Sequence, residues 1–164
     1  MIDISNLIVR RLTEQEKKGN DAIPQGWFNE FIEAEFYSEK EADIDFGKIK
    51  EIVLILALNG VEKKKWPTVD AWKKLFPGWF VESFRPEFTK KELDTMVKTK
   101  QWSTEWTFAN WIGSCEDKVW EWWDGKVVKN KIIIEVLVDG HPYSIEDLIC
   151  LMEKCGAISV NLRE

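Results

Sequence analysis

One apolar stretch, residues 119–138 (VWEWWDGKVVKNKIIIEVLV), constrains the fold of this chain more than any other. Trp120 and Trp122 are two residues apart, so on a strand they point to one face while Trp123 points to the other. Residues 124–125 (Asp-Gly) form a turn signal that often joins paired strands, and β-branched residues resume after it. The stretch therefore predicts a β-hairpin, or two consecutive strands, whose aromatic face is covered by helices.

Several other segments carry helix signals. Thr68 precedes apolar residues at helical spacing, and Thr89 with Glu92 forms a capping box, which predicts a helix to about residue 100. Its inner face is predicted to consist of three residues, Leu93, Met96 and Val97. We also expect helices over residues 3–18, 104–113 and 145–155, and a closing strand over 158–162.

Two segments have conflicting signals. Residues 27–37 place Phe28, Phe31 and Ile32 at helical spacing, so we expect a helix there. Residues 49–58 are mostly apolar, and four of them are β-branched, which favours a buried strand, although the leucines and the alanine leave a buried helix open.

The combination of strands and helices predicts the α+β class: a single domain over residues 1–164, with a mainly antiparallel sheet of about three to five strands packed against several helices. A chain of 164 residues can bury a core of reasonable size. Ten tryptophans, each able to bury about 150–250 Å², supply much of that core, and enough remain for one or two to be exposed.

The charge balance limits the classes of partner. The formal net charge is −6, with a surplus of acids in residues 1–60 and 101–164 and a surplus of bases between them. An acidic protein is repelled by nucleic acid and by anionic lipid and is attracted to basic proteins. We therefore expect no direct nucleic-acid partner and no membrane partner.

The first residues lack a signal peptide, and the longest apolar run, residues 52–58, is too short to span a bilayer. Three cysteines are an odd number, which argues against a disulfide framework. These features predict a cytoplasmic protein.

The candidate partner-binding site is the acid-dense segment of residues 30–45. Clustered carboxylates speed the encounter with a basic protein, and an aromatic side chain supplies a desolvated anchor. The candidate residues are Glu33, Glu35, Glu39, Glu41, Asp43 and Asp45, with Trp123 as the anchor. The alternating acids lack the central glycine and the twelfth-position glutamate of a calcium loop, so we predict no metal and no cofactor.

Two other functions are weighed against this one. A small-ligand or carbohydrate-binding domain would use Trp123, Trp79 or Trp102 as a stacking platform. A hydrolase would have to use His141, the only histidine, with an acid or with Cys115. For His141 the alternative is a turn residue with no catalytic role. Cys150, the other candidate nucleophile, is expected to be a buried apolar residue.

Four segments carry a resemblance to a known class of protein: residues 66–72 (WPTVDAW), 75–80 (LFPGWF), 120–124 (WEWWD) and 139–142 (DGHP). In these, and in its small size and acidity, the chain resembles bacterial immunity proteins, which neutralise toxins delivered between competing cells, as in contact-dependent inhibition. The resemblance implies one cognate partner, a toxin domain that is often a nuclease, and no enzymatic activity. It assigns no functional residue.

Overall fold

The framework of the protein is a four-stranded antiparallel sheet. The computed structural model describes residues 4–13 and 21–163. The strands are β1 (Phe28–Glu35), β2 (Trp120–Val128), β3 (Lys131–Val138) and β4 (Ser159–Arg163). They lie in the order β2-β3-β1-β4, and each neighbouring pair is antiparallel. The sheet and the helices around it confirm the predicted α+β class.

Seven α-helices fall within the described part of the chain. They are α1 (Ile4–Thr13), α2 (Glu39–Asn59), α3 (Val69–Leu75), α4 (Gly78–Glu82), α5 (Lys90–Thr99), α6 (Phe108–Glu116) and α7 (Glu146–Lys154), with a 3-10 turn at Lys63–Lys65. The expected helix over residues 3–18 corresponds to α1, and its residues 3 and 14–18 lie outside the described residues. None of the described helices combines the length and the apolar character needed to cross a membrane.

Strand β3 lies at the centre of the core. Its alternate residues Ile132, Ile134, Val136 and Val138 are fully buried on the face that the helices cover. Ile134 is paired with Ile32 of β1, so the buried residues of neighbouring strands lie side by side. The β-hairpin predicted within residues 119–138 is confirmed, because β2 pairs antiparallel with β3, the next strand along the chain.

Helices α3, α4 and α6 enclose a cluster of aromatic rings whose centroids lie 5.0–6.1 Å apart, in mostly tilted or edge-to-face pairs. Its members are Trp72, Phe76, Phe80, Phe84, Phe108 and Trp111. Such pairs stabilise a core by about 0.5–1.5 kcal/mol each beyond the area that they bury. The tryptophan content is thus used mainly in the core.

The hairpin turn does not lie at residues 124–125, where it was predicted. Strand β2 continues through both residues, and the chain turns at Lys129 and Asn130, with a φ of 57° at Lys129. Trp122 pairs with Val136 and Asp124 with Glu135, so Trp123 is the extra residue of a β-bulge.

Gly125 is present for close packing rather than for a turn. A Cβ atom there would lie 2.8 Å from the ring of Phe46, on α2, and 2.8 Å from the ring of Trp122. The missing side chain allows α2 to approach β2 at this point.

The helix predicted over residues 27–37 is wrong, because this segment forms strand β1. Ile32 and Ala34 are fully buried, while Phe31 and Glu33 lie on the opposite face. Buried residues therefore recur every two residues rather than every 3.6. Pairing with β3 on one side and β4 on the other stabilises the strand over a helix.

The strand favoured for residues 49–58 is also wrong, and the alternative of a buried helix is confirmed. Helix α2 starts after Ser38, whose Oγ accepts a hydrogen bond from the Glu41 amide at 3.1 Å. Its buried residues are spaced by three or four, apart from one adjacent pair: Ala42, Asp45, Ile49, Ile52, Val53 and Leu56. The helical spacing of buried residues begins upstream of residues 49–58, and those ten residues alone are too few to reveal it.

Helix boundaries after α2 follow the capping residues. Thr68 caps α3 and Thr89 caps α5 with a complete capping box, which confirms both predictions. The next helix, α6, starts after Thr107 rather than after residues 103–104, because the Thr107 hydroxyl accepts from the Asn110 amide. The predicted inner face of α5 is wrong, since no residue of α5 is buried.

A buried carboxylate connects α7 to the aromatic core. Asp147 accepts hydrogen bonds from Trp120 Nε1 at 2.7 Å and from Ser114 Oγ at 2.9 Å. Its backbone carbonyl accepts a third, from Trp111 Nε1 at 2.9 Å. Each of these polar groups is thereby satisfied inside the core, as buried polar atoms require.

Candidate functional site

The acids predicted to bind a partner are divided between strand β1 and helix α2. Glu33 and Glu35 lie on the face of β1 opposite to the buried Ile32 and Ala34, and therefore on the side of the sheet away from α2. Glu39, Glu41 and Asp43 lie on the first turns of α2 and are exposed.

Glu33 is engaged by its neighbours on the sheet. Its carboxylate lies 2.6 Å from Lys131 Nζ and 3.8 Å from Arg163 Nε. The hydrogen bond from Lys131 is the main cause that lowers the pKa of Glu33. Because these two cations already balance its charge, Glu33 contributes less field to a distant partner than an unpaired acid would.

Glu39, Glu41 and Asp43 have no ion-pair partner among residues 4–13 and 21–163. Glu39 and Glu41 lie in the first turn of α2, where negative charge stabilises a helix by about 0.3–1 kcal/mol each. This local role leaves their carboxylates in solvent and available for a partner.

Two large apolar side chains close to these three acids along the chain are also exposed. Tyr37, just before the α2 N-cap, is 78% exposed, and Ile44 on the second turn is 52% exposed. We call Tyr37, Glu39, Glu41, Asp43 and Ile44 the acidic end of α2. Tyr37 and Ile44 were not predicted as site residues. The signal in the sequence was Ser38, a good N-cap residue, which places Tyr37 directly outside the helix.

Asp45 is not part of this surface, contrary to the prediction. It lies on the inner side of α2, is buried, and approaches Gly156, where an added Cβ would lie 2.5 Å from Asp45 Oδ2. Burial raises the pKa of Asp45, partly offset by Lys48, whose Nζ is 3.5 Å away. The helical period carries Asp45 inward although it is acidic.

Trp123 is also unavailable as an exposed anchor, contrary to the prediction, because only 3% of its surface is exposed. The Arg11 guanidinium lies 3.9 Å from the centroid of its ring. Arg11 Nε donates a hydrogen bond to the Trp123 carbonyl at 2.6 Å, and Arg11 Nη1 lies 2.7 Å from Asp21 Oδ2. The bulge and α1 together bury this residue.

The other two tryptophans proposed as stacking platforms are exposed to different extents. Trp79 is 37% exposed, and Lys48 Nζ lies 5.2 Å from its ring centroid. Trp102, at 65%, is far more exposed and lies between α5 and α6.

His141 lies in the exposed turn between β3 and α7, as expected. Its Nε2 is 3.5 Å from Glu30 Oε1, and its ring contacts those of Phe28 and Tyr143. Burial is the main cause that raises the pKa of Tyr143, followed by the charge of Glu30.

The three cysteines are buried and free, which confirms the buried position expected for Cys150. Burial raises the pKa of Cys115 well above its ordinary value and that of Cys150 to about 12. Because the thiolate is the nucleophilic form, neither thiol is activated.

Within the described ranges, no three His, Cys, Asp or Glu side chains are arranged so that they could hold a metal ion. Comparisons with protein-family models, with curated proteins and with solved structures give no significant match to this chain.

Proposed function

We propose that this protein is an immunity protein of the antitoxin type, which acts in the cytoplasm by binding and neutralising a cognate toxin domain of basic charge, such as a nuclease. The observation that carries the proposal is the acidic end of α2. Within eight residues of the chain it exposes three carboxylates without cationic partners among the described residues, one tyrosine and one isoleucine.

This arrangement suits a basic protein partner for two physical reasons. Unpaired carboxylates produce a field that steers a positively charged domain toward the surface and raises the association rate. The tyrosine and the isoleucine offer apolar area, and tyrosine in particular is enriched among residues that contribute most to binding energy. The resemblance to immunity proteins supports the same class of partner.

The proposal is tested by expressing the protein with the toxin domain encoded next to its gene. We expect protection of the cells, and we expect the purified proteins to form a complex. In stopped-flow association at low salt, the triple variant Glu39→Gln, Glu41→Gln, Asp43→Asn should associate about tenfold more slowly, since steering contributes about 10–10³ to such rates. The difference should shrink as salt screens the charges.

A matched control removes the same number of charges elsewhere, with Asp70→Asn, Glu105→Gln and Glu153→Gln on other elements of the fold. This control should change the association rate by less than about twofold, because the field at the docking surface depends on nearby charges. Equal slowing by the two triple variants would remove the acidic end of α2 from the proposal. Absence of protection by the wild-type protein would remove the immunity function itself.

The carbohydrate-binding alternative loses Trp123, which is buried, and keeps Trp102. An exposed tryptophan can stack on a sugar ring, and titration of the protein with oligosaccharides, followed by tryptophan fluorescence, tests this alternative.

A further inference from the structure

Residues 86–106 leave the body of the protein and return to it at the same point. Arg85 and Thr107 form a parallel backbone bridge at the base of this excursion, which we call the α5 arm. Thr107 is fully buried, and the backbone amide of Ala109 donates to Glu87 Oε1 at 3.1 Å. The arm is thus anchored firmly at both ends.

Helix α5 is held by local interactions instead of tertiary packing. Thr89 and Glu92 form the capping box, and Arg85 Nη2 lies 2.9 Å from Glu92 Oε2. The Arg85 guanidinium also lies 3.9 Å from the centroid of the Phe88 ring. An isolated helix of this length is marginal in water, so these contacts order it before any partner arrives, which lowers the entropy cost of binding.

The apolar residues of the arm face solvent. Leu93 is 46% exposed and Val97, one turn later, is 64% exposed. Met96, three residues after Leu93 on α5, lines an open groove of about 450 Å³ together with Phe88 and Trp102. Apolar residues at the i, i+3 and i+4 positions of an exposed helix are the anchors by which such helices dock on other proteins.

Helix α5 with its C-cap Lys100 has a net charge of the opposite sign to that of the whole chain. Residues 90–100 contain four basic and two acidic residues, whereas the chain carries a net charge of −6. The arm as a whole, residues 86–106, is neutral, with four basic and four acidic residues. Lys90, Lys91 and Lys98 of α5 have no ion-pair partner within the part of the chain that the structure describes. Lys91 also lines the groove beside Trp102.

From these contacts we propose that the α5 arm docks on an acidic amphipathic segment of another protein, in which an apolar stripe is flanked by carboxylates. The stripe would cover Leu93, Val97 and the groove at Trp102, and the carboxylates would pair with the lysines. A second copy of α5 fits poorly, because antiparallel helices would bring Lys90 close to Lys98 of the partner copy. This surface is separate from the acidic end of α2 and does not depend on the proposed function.

The test uses the whole protein, labelled with nitrogen-15, and a synthetic amphipathic peptide of about 18 residues with leucines at i, i+3, i+4 and i+7 and glutamates at the flanking positions. A second peptide carries lysines in place of the glutamates. We expect the glutamate peptide to shift the Trp102 indole signal, assigned with Trp102→Phe, in a saturable way. Its affinity should exceed that of the lysine peptide by at least about tenfold.

Three variants make the test specific. Leu93→Asp with Val97→Asp should weaken binding of the glutamate peptide at least about tenfold, and no buried residue is changed. Leu58→Asp, at another exposed apolar position, should have no effect. Lys90→Glu with Lys91→Glu should reverse the preference between the two peptides.

Failure of the glutamate peptide to shift the Trp102 signal at millimolar concentration would overturn the proposal. Equal binding of both peptides would do the same, and so would binding of phosphatidylglycerol vesicles or self-association in place of peptide binding. The variant that neutralises Glu39, Glu41 and Asp43 should bind the glutamate peptide like wild type. The outcome is therefore distinguishable from that of the toxin experiment.

Discussion

Replacement of Asp147 by alanine removes the acceptor at the centre of the buried polar network. Its Oδ1 accepts from Trp120 Nε1 and from the Leu148 amide, and its Oδ2 accepts from Ser114 Oγ. Trp120 is almost fully buried, so its indole N–H would lose its partner without gaining water.

The magnitude follows from these three bonds. A hydrogen bond to a charged group contributes about 1.5–3 kcal/mol, and an unsatisfied buried donor costs about 1–3 kcal/mol. The desolvation cost of the carboxylate disappears with it and offsets part of the loss. We therefore expect Asp147→Ala to lower the free energy of unfolding by about 3–4 kcal/mol and the Tm by about 6–16 °C.

Urea unfolding followed by circular dichroism measures this difference. Asp147→Asn keeps an oxygen acceptor of the same size and should cost only about 1–2 kcal/mol. In a Trp120→Phe background, which lacks the donor, Asp147→Ala should cost about 1–2 kcal/mol less than in wild type. A loss below about 1 kcal/mol for Asp147→Ala, or no coupling in the double-mutant cycle, would refute the role assigned to the network.

Three further substitutions or treatments have expected outcomes. Gly125→Ala should destabilise the protein by about 1–3 kcal/mol, because two aromatic rings crowd the position. Gly113→Ala, in open space within α6, should stabilise the protein by about 0.5–1 kcal/mol. Urea unfolding of the two variants measures both changes. Burial raises the pKa of Asp45 above 3.8, so folding favours the protonated carboxyl. The resulting stabilisation is present below pH 3.8 and is lost as the pH rises through the folded-state pKa. Asp45→Asn should therefore be more stable than wild type at about pH 7, by a margin that narrows at about pH 3.5. Cys150 and Cys155, whose pKa values burial raises to about 12, should react with iodoacetamide far more slowly in the native protein than in urea, and comparable rates would contradict their burial.

Capping residues were predictable from the sequence because their geometry is local. Thr68 and Thr89 each start a helix through one hydrogen bond to an amide three residues later. The β-branched run of β3 was predictable for a related reason, since five of its eight residues are Ile or Val.

The errors arose where tertiary contacts decide the structure. Strand β1 carries a mixed pattern, and only its position between β3 and β4 makes the period two. Helix α2 is apolar on several sides because it contacts both α1 and the sheet, which weakens its helical period. The exposed α5 has the same amphipathic pattern as a packed helix, so a pattern alone cannot show whether a neighbour covers it.

The candidate site was only partly predictable for the same reason. Acid-dense sequence identified Glu39, Glu41 and Asp43, which are exposed, together with Asp45, which the helical period carries inward. Trp123 stands at an irregular position of β2, and the burial of its ring by Arg11 depends on a contact between distant parts of the chain. Such contacts leave no local pattern.

The central claim is that the acidic end of α2 steers a basic toxin domain onto this protein. The most direct measurement is the association rate of the two purified proteins against salt, for wild type and for the variant neutralised at Glu39, Glu41 and Asp43. We expect the logarithm of the wild-type rate to fall steeply with rising salt, and the variant to start about tenfold lower with a shallower slope. Identical slopes for the two proteins would contradict the claim.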